Sequence, residues 1–371
     1  MENLSEHKSG TSIEKYFSSD GLYKVISIGS YGLNNEYIDQ GIRAVKNKTT
    51  ESKLVRSGQL TMVLNDKTAN GNLIGRCLLI STDNEFIVNQ RTEIIIPGPD
   101  LNGNYAYYYL NGPFRSKVKR IAQGGTQIYV NYSSVKKQKI NYPIKDEQIK
   151  ISKLLKIIKK LITLYERKLK LLSQAKKYFL DNLFAEKEYP NLRFKEFTDA
   201  WEQRKLLKVC KKEDNKRIPI KEQERKEGNT PYFGANGIQG YIDGYTHDGT
   251  NILIAEDGAN NVRNYPIKLI TGKIWVNNHA HVLKVNTKTN NGNFLVGAIK
   301  KINFYRYLVG SSRYKLTAES LNQVKIKIAK QSEQEKIGKL LKNIEKLLTL
   351  YENKQQHLTK IKKTLLNTMF I

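Results

Sequence analysis

Apolar residues recur at alternating steps of four and three along the middle of the chain. Leu154, Ile158, Leu161, Tyr165, Lys168, Leu172, Ala175 and Phe179 form one stripe, broken only by the lysine. The stripe returns 186 positions later as Leu340, Ile344, Leu347, Tyr351, Lys354, Leu358, Ile361 and Leu365. Such spacing predicts two long helices with a coiled-coil seam, in which the shared Tyr and Lys cost stability and fix register. A further stripe, Leu155, Ile162 and Leu169 against Leu341 and Leu348, widens the apolar face beyond what two helices cover. Another surface must therefore lie on it, either the chain's own globular parts or a partner.

The stripes belong to an internal repeat. Asp146–Phe184 set against Ser332–Phe370 matches at 21 of 39 positions without a gap. Farther upstream the halves share layout more than residues: FIVNQRTEIIIP (86–97) resembles IWVNNHAHVLKV (274–285), and SIGSYGLNNEYIDQG (27–41) resembles YFGANGIQGYIDGY (232–245). Runs such as CLLIS (77–81), EIIIP (93–97), NILIA (251–255) and HVLKV (281–285) alternate with Gly and Asn turns, as strands do. The expected fold class is α+β, with two mixed, strand-rich domains separated by two long helices packed as an antiparallel coiled coil with pseudo-two-fold symmetry. The expected segments are a domain at 1–145, a helix at 146–184, a linker at 185–200 around Pro190, a domain at 201–330 and a helix at 331–371. The second half enters its domain through Trp201–Val209. The stretch before Ser27 looks too short to hold a counterpart, so either the true start lies upstream of the given one or the first domain is N-terminally shortened.

Composition narrows the chemistry. Lys and Arg number 63 against 35 Asp and Glu, a net charge of +28 that points to a polyanionic partner. No run of about 18 apolar residues suggests membrane insertion, and the N-terminal residues do not resemble a secretory signal, so a cytoplasmic location is expected. Cys77 and Cys210 form no framework and no CxxC pair. No phosphate loop, dinucleotide fingerprint, HExxH or GxSxG occurs, which argues against catalysis by this chain. His279 and His281 flank one position with no third ligand in sight, so no metal site is expected.

The variable halves do carry groups suited to DNA. Asn and Gln pair with adenine, Arg with guanine, and cations or hydroxyls with phosphate. In the first half the candidates are Asn34, Asn35, Gln40, Arg43, Asn65, Lys67, Arg76, Asn89, Gln90, Arg91 and Gln127. The basic tract FRSKVKR adds Arg115, Lys117, Lys119 and Arg120 as phosphate contacts. In the second half the candidates are Asn236, Gln239, Asn260, Asn261, Arg263, Asn277, Asn278, His279, Ser312 and Arg313. For helix-to-helix or partner contact they are Leu154, Leu155, Ile158, Leu161, Ile162, Tyr165 and Leu172, with Leu340, Leu341, Ile344, Leu347, Leu348, Tyr351 and Leu358.

Two unlike domains, each followed by a near-identical long helix, resemble the DNA specificity subunit of type I restriction-modification systems. The resemblance rests on EQIKISKLLKIIKKLITLYERK (147–168) and EQEKIGKLLKNIEKLLTLYENK (333–354), then on GGTQIYVNYSSVKKQKINYP (124–143) and RFKEFTDAWEQRKL (193–206). It implies two target recognition domains, each reading half of a split double-stranded DNA site, held apart by the helices. It also implies two modification subunits that bind the helices and carry S-adenosylmethionine, none being bound by this chain, with restriction subunits joining to cut DNA. Half-sites about 34 Å apart suit such a frame, and a 39-residue helix at about 1.5 Å per residue spans that distance. A stand-alone DNA-binding regulator built from the same domains is the alternative reading.

Overall fold

The computed structural model describes residues 1–68, 70–259, 261–262, 264–310 and 314–370. It comprises two compact units, Met1–Tyr165 with Lys354–Ile371, and Glu166–Asn353. The two long helices, Lys145–Asn182 and Gln331–Thr368, each contribute one part to each unit.

In the first unit an antiparallel sheet places Ser5–Ser9, Thr92–Pro97, Leu60–Val63 and Cys77–Leu79 side by side. A second sheet holds Arg43–Ala44, Tyr23–Ile26, Phe86–Val88 and Leu54–Val55, with Tyr23–Ile26 parallel to Phe86–Val88. Every residue of Leu60–Val63 is buried, because one face meets the second sheet's core and the other meets the helix Gly103–Asn111. That helix supplies Tyr105, Ala106, Tyr109 and Leu110 to the core, and Phe370 packs its ring 5.1 Å from Tyr105 and 5.4 Å from Tyr109.

The second unit repeats this plan. Cys210–Lys212, Ala280–Val285, Thr250–Ala255 and Ile267–Thr271 form its antiparallel sheet in the same order. Thr230–Gly234 runs parallel to Trp275–Val276 and antiparallel to Gly237–Ile242. The helix Gly292–Lys300 fills the place of Gly103–Asn111, with Phe184 5.4 Å from Phe294. The halves thus share strand order where they share few residues, because alternation and turn placement set topology while side chains at the turns stay free to differ.

One residue of each repeat helix makes the same tie to its domain. Gln148 accepts from the Asn102 amide at 2.8 Å and donates to the Pro143 carbonyl at 2.9 Å. Gln334 does the same with Asn291 at 3.1 Å and Ala329 at 2.9 Å. Asn102 and Asn291 are the N-caps of the two domain helices, so each buried Gln joins a domain helix to a long helix.

The assignment of inward positions needs correction. Ile151, Leu155 and Ile158 in the first unit, and Ile337, Leu341, Ile344 and Leu348 in the second, are the buried ones. Leu154, Leu161 and Leu347 are 39%, 37% and 39% exposed. Each helix lays its early turns on its own unit's domain core, and this rotates the covered arc by one position from the seam read off the sequence. Ile162, Tyr165, Leu172, Leu340, Tyr351 and Leu358 are half-buried. Within the second unit Lys168 lies 5.2 Å from the Tyr351 ring and Lys176 pairs with Glu345, an antiparallel order. Within the first unit Lys354 stands 6.0 Å from Tyr165, while Thr368 and Met369 share a cleft with Glu147 and Ile151, again antiparallel.

The start of the chain matches the last part of the second unit's entry segment. Ser5 pairs with Pro97 where Cys210 pairs with Val285, and Met1 and Leu4 are buried as Leu206 and Val209 are. The Met1 amine donates to the Gln138 carbonyl at 3.0 Å, and the Leu206 amide donates to the Val324 carbonyl at 2.9 Å. Met1–Leu4 is therefore the counterpart of Leu206–Val209, hidden in the sequence because MENL and LLKV share only their apolar ends.

Candidate nucleic-acid interface

In each unit a tight turn links a short strand of the partly parallel sheet to a long strand of the antiparallel one. In the first unit the turn is Asn89–Arg91, between Phe86–Val88 and Thr92–Pro97. Arg91 has φ +66°, a left-handed conformation, which turns the chain sharply and projects the residue outward. Asn89 is buried and works for the fold: its Oδ1 accepts from the Ile13 amide at 3.3 Å and its Nδ2 donates to Glu14 Oε1 at 3.0 Å. Gln90 Nε2 donates to the same oxygen at 2.9 Å.

These groups line a cleft of about 600 Å³ with Gln40, Lys67, Arg91 and Gln127. Gln40, Lys67 and Gln127 are exposed and have no side-chain hydrogen-bond partner among the described residues. Asn65 is buried beneath, and its amide, oriented to satisfy both ends, donates to the Leu64 carbonyl and accepts from Arg91 Nη1 at 2.8 Å. The sequence reading missed Glu14 and Asp66. Hydrogen bonds from Ser12 and Asn89 hold the Glu14 carboxyl down at about 2, so it is ionised at neutral pH. Asp66 accepts from the Thr68 amide (2.9 Å), the Thr68 hydroxyl (2.8 Å) and the Leu73 amide (2.6 Å), shaping the loop that carries Lys67. Burial raises its pKa, but the Leu73 and Thr68 bonds outweigh that and the net direction is down. An Asp followed two residues later by Thr is the local signal that could have flagged this loop.

Several proposed readers are spent inside the fold. Arg76 donates to the Asn72 carbonyl at 2.7 Å, the Leu33 carbonyl at 2.8 Å and the Asn35 side chain. Asn35 itself sits at φ +61°, and Asn34 closes the same turn on the Glu36 amide at 3.1 Å. Arg43 is held by Asp39 through two bonds of 2.9 and 2.8 Å. The tract FRSKVKR forms the helix Pro113–Arg120, which splits its charges between two faces. Arg115 donates to the carbonyls of Ile74, Asn72 and Gly71, and burial, then the Arg76 charge, lowers its pKa to about 10. Lys117 donates to the Lys139 carbonyl at 2.8 Å. Lys119 and Arg120 are left exposed. Arg76, Arg115 and Lys117 thus each donate within the fold.

The equivalent turn in the second unit is Asn277–His279. Asn277 is buried. Its backbone amide bonds the Phe233 carbonyl at 3.0 Å, its Oδ1 accepts from the His279 amide at 2.9 Å and its Nδ2 donates to Gln239 at 3.3 Å. Asn278 is exposed beside it, and Asn236 donates to the Gly258 carbonyl at 2.9 Å. Asn261 accepts from the Asn264 amide at 2.8 Å. Asn260, Arg263, Ser312 and Arg313 lie outside the described residues.

Behind this turn, ligand atoms of Asp214, Glu256 and His281 lie within 4.8 Å of one another. Arg217 already occupies the cluster, 2.6 Å from Glu256 and 3.7 Å from Asp214, and the two His281 nitrogens face Asp214 at 2.6 Å and the Leu316 carbonyl at 2.7 Å. With a fixed guanidinium in the middle, the group is a charge network that braces the strands and does not fit a metal ion.

No helix among the described residues is long and apolar enough to cross a membrane. The family model for the type I restriction modification DNA specificity domain matches residues 2–174 and again 198–360. A Haemophilus influenzae relative named as a type I restriction enzyme specificity subunit is 46% identical over 128 residues, 34% of this chain and 33% of its own length. The chain thus spans about a third of that relative. A Methanocaldococcus jannaschii relative, named as the type I restriction enzyme MjaX specificity subunit, is 25% identical over 320 residues, 80% of this chain and 74% of its own. The solved S subunit of a type I restriction-modification system from M. genitalium superimposes with a TM-score of 0.68 at 18% identity, covering 100% of this chain and 94% of that one, a likeness of fold. With two matched domains, two framed turns and a family match over most of its length, the chain belongs to the type I restriction-modification DNA specificity family.

Proposed function

We propose that this chain is the DNA-reading subunit of a type I restriction-modification complex. Each unit reads one half of a bipartite duplex site, and the repeat helices set the gap and dock the modification subunits. One observation carries the reading: the same strand–turn–strand frame recurs in both units with different polar residues at its tip, Gln90 and Arg91 in one, Asn278 and His279 in the other. A fixed frame with exchangeable tips is what a two-part sequence reader needs, since phosphate contacts position the reader and side chains at base edges specify the sequence.

The helices support the docking part. Leu154, Ile157, Leu161 and Leu164 in the first unit and Leu347 and Leu350 in the second are all more than a third exposed, an apolar stripe suited to partner helices. The chain's own part is to bind and orient. S-adenosylmethionine and base methylation belong to the modification subunit in this reading.

Co-purification tests it. Replacing Leu161 and Leu164 with Asp is expected to release the modification subunit while salt-dependent duplex binding persists. Retention of the complex by that variant, or loss of DNA binding alone, contradicts the division of labour.

A further inference from the structure

At the tip of the first unit's turn the Gln90 side chain is exposed, yet its orientation is fixed from one side. Glu14 Oε1 receives Gln90 Nε2 at 2.9 Å and Asn89 Nδ2 at 3.0 Å, and Glu14 Oε2 receives the Ser12 hydroxyl. An ionised carboxylate offers acceptors only, so the end of the Gln90 amide that meets it is the NH2 group. Asn89 is locked in the same sense, because the Ile13 amide at 3.3 Å already occupies its Oδ1. The Gln90 carbonyl oxygen is thereby turned away from Glu14, and it has no hydrogen-bond partner among the described residues.

The matching turn of the second unit is arranged differently. There Asn277 Nδ2 donates to Gln239 at 3.3 Å. The exposed Asn278 side chain has no hydrogen-bond partner among the described residues, so no bond sets which end of its amide faces out. The fixed amide is thus a property of the first unit's tip.

We propose, resting on the reading of each unit as a half-site reader, that the Gln90 carbonyl oxygen accepts from an exocyclic amine in the major groove, N6 of adenine or N4 of cytosine. Glu14 is the positioning residue that sets this polarity. A free glutamine amide can turn either end to DNA, and its bidentate pairing with adenine uses both. With its NH2 end turned to Glu14, Gln90 presents an acceptor. Guanine O6 and thymine O4 would meet that oxygen acceptor to acceptor, so the amine-bearing bases are favoured. The negative charge of Glu14 repels phosphate, which leaves a base edge as the group that approaches this tip.

The test is selection of bound duplexes from a random-sequence pool by the full chain assembled with its modification subunits, followed by sequencing. Gln90→Ala marks the position that this side chain reads. There the parent is expected to prefer adenine or cytosine over guanine and thymine about tenfold or more, a difference of about 1.4 kcal/mol or more. Glu14→Ala frees the amide to turn and should reduce the preference at that position to about threefold or less. Glu14→Gln should retain it, since the new carbonyl takes the place of Oε1 and the new amide donates to the Ser12 oxygen. In a Gln90→Ala background, Glu14→Ala should change nothing further at that position. A parent preference for guanine or thymine there overturns the inference, as does a preference that survives Glu14→Ala. Loss of selectivity throughout the half-site in Glu14→Ala, with a lowered melting midpoint, overturns it too by giving Glu14 a purely structural part. These results leave the half-site reading standing, whereas a parent that selects no two-part sequence overturns that reading and this inference with it.

Discussion

Glu333→Ala offers a measurement with an internal control. Glu333 is 1% exposed and accepts three bonds, two from Arg193 and one from Trp201. Removing one partner of a buried pair costs about 3–5 kcal/mol because the remaining charge is stranded. Arg193 keeps 15% of its side chain in water, so a figure discounted to just below that range, about 2–3 kcal/mol, is the appropriate one here. For a unit of roughly 150–250 residues, each kcal/mol moves the midpoint by about 2–4 °C, so the second unit should melt about 4–12 °C earlier. Calorimetry, with hydrogen exchange along Glu202–Lys205 to assign the transition, reads this directly. Glu147→Ala, at the matching position of the first unit, removes an exposed carboxylate and should change stability by no more than about 0.5 kcal/mol. Equal shifts in the two variants, or a second unit that does not move, would refute the reasoning that Arg193 and Trp201 are what make this position matter.

Other expectations follow from the same geometry. Arg115→Ala should destabilise the first unit by about 1–3 kcal/mol, since it leaves the Ile74, Asn72 and Gly71 carbonyls without their donor; thermal melts check this. Lys119→Ala or Arg120→Ala should leave the melt unchanged and reduce the slope of log K against log salt by about 0.9 for each phosphate no longer neutralised, read by titration with duplex DNA at several salt concentrations. Gly297→Ala should cost about 1–3 kcal/mol, because a Cβ there would lie 2.1 Å from the buried Phe184 ring, and a melting curve no different from the parent contradicts that packing. His247 is buried with its Nε2 3.0 Å from the Glu213 carbonyl; burial lowers its pKa more than that carbonyl raises it. A depressed folded pKa gives stability that is full above the unfolded value of about 6.5 and is lost as pH falls below it. The second unit's midpoint should therefore drop between about pH 7 and pH 5, and His247→Gln should flatten that drop; parallel curves would contradict it.

The repeat helices were legible because 21 identical positions survive without a gap, and apolar spacing fixes a helix from local information alone. Which side of the helix is buried was not legible. Leu154 and Leu155 are equally apolar neighbours, and only the domain packed against the helix decides that Leu155 goes in. The candidate site was read in part. Lys67, Gln90, Arg91 and Gln127 do converge on one cleft, whereas Arg76 reaches the Leu33 carbonyl and Arg115 the Ile74 carbonyl, each some forty residues earlier in sequence. Long side chains choose their partners by tertiary proximity, which residue type does not encode. The stretch taken as a linker is likewise fastened down, with Arg193 on Glu333 and Lys336 over Phe194 and Phe197, because its partners lie about 140 residues ahead. Glu14 escaped notice for the same reason: it meets Asn89 and Gln90 only in the folded sheet.

Two units, alike in frame and unlike at their tips, are proposed to read separate halves of one DNA site. Mapping methylated adenines in cells that carry the complete system, with either the parent chain or one whose residues 210–323 come from a relative of different specificity, tests this most directly. The expected result is a two-part site in which one half changes and the other half, together with the gap, stays the same. A change in both halves, or an altered gap with both halves intact, would contradict it.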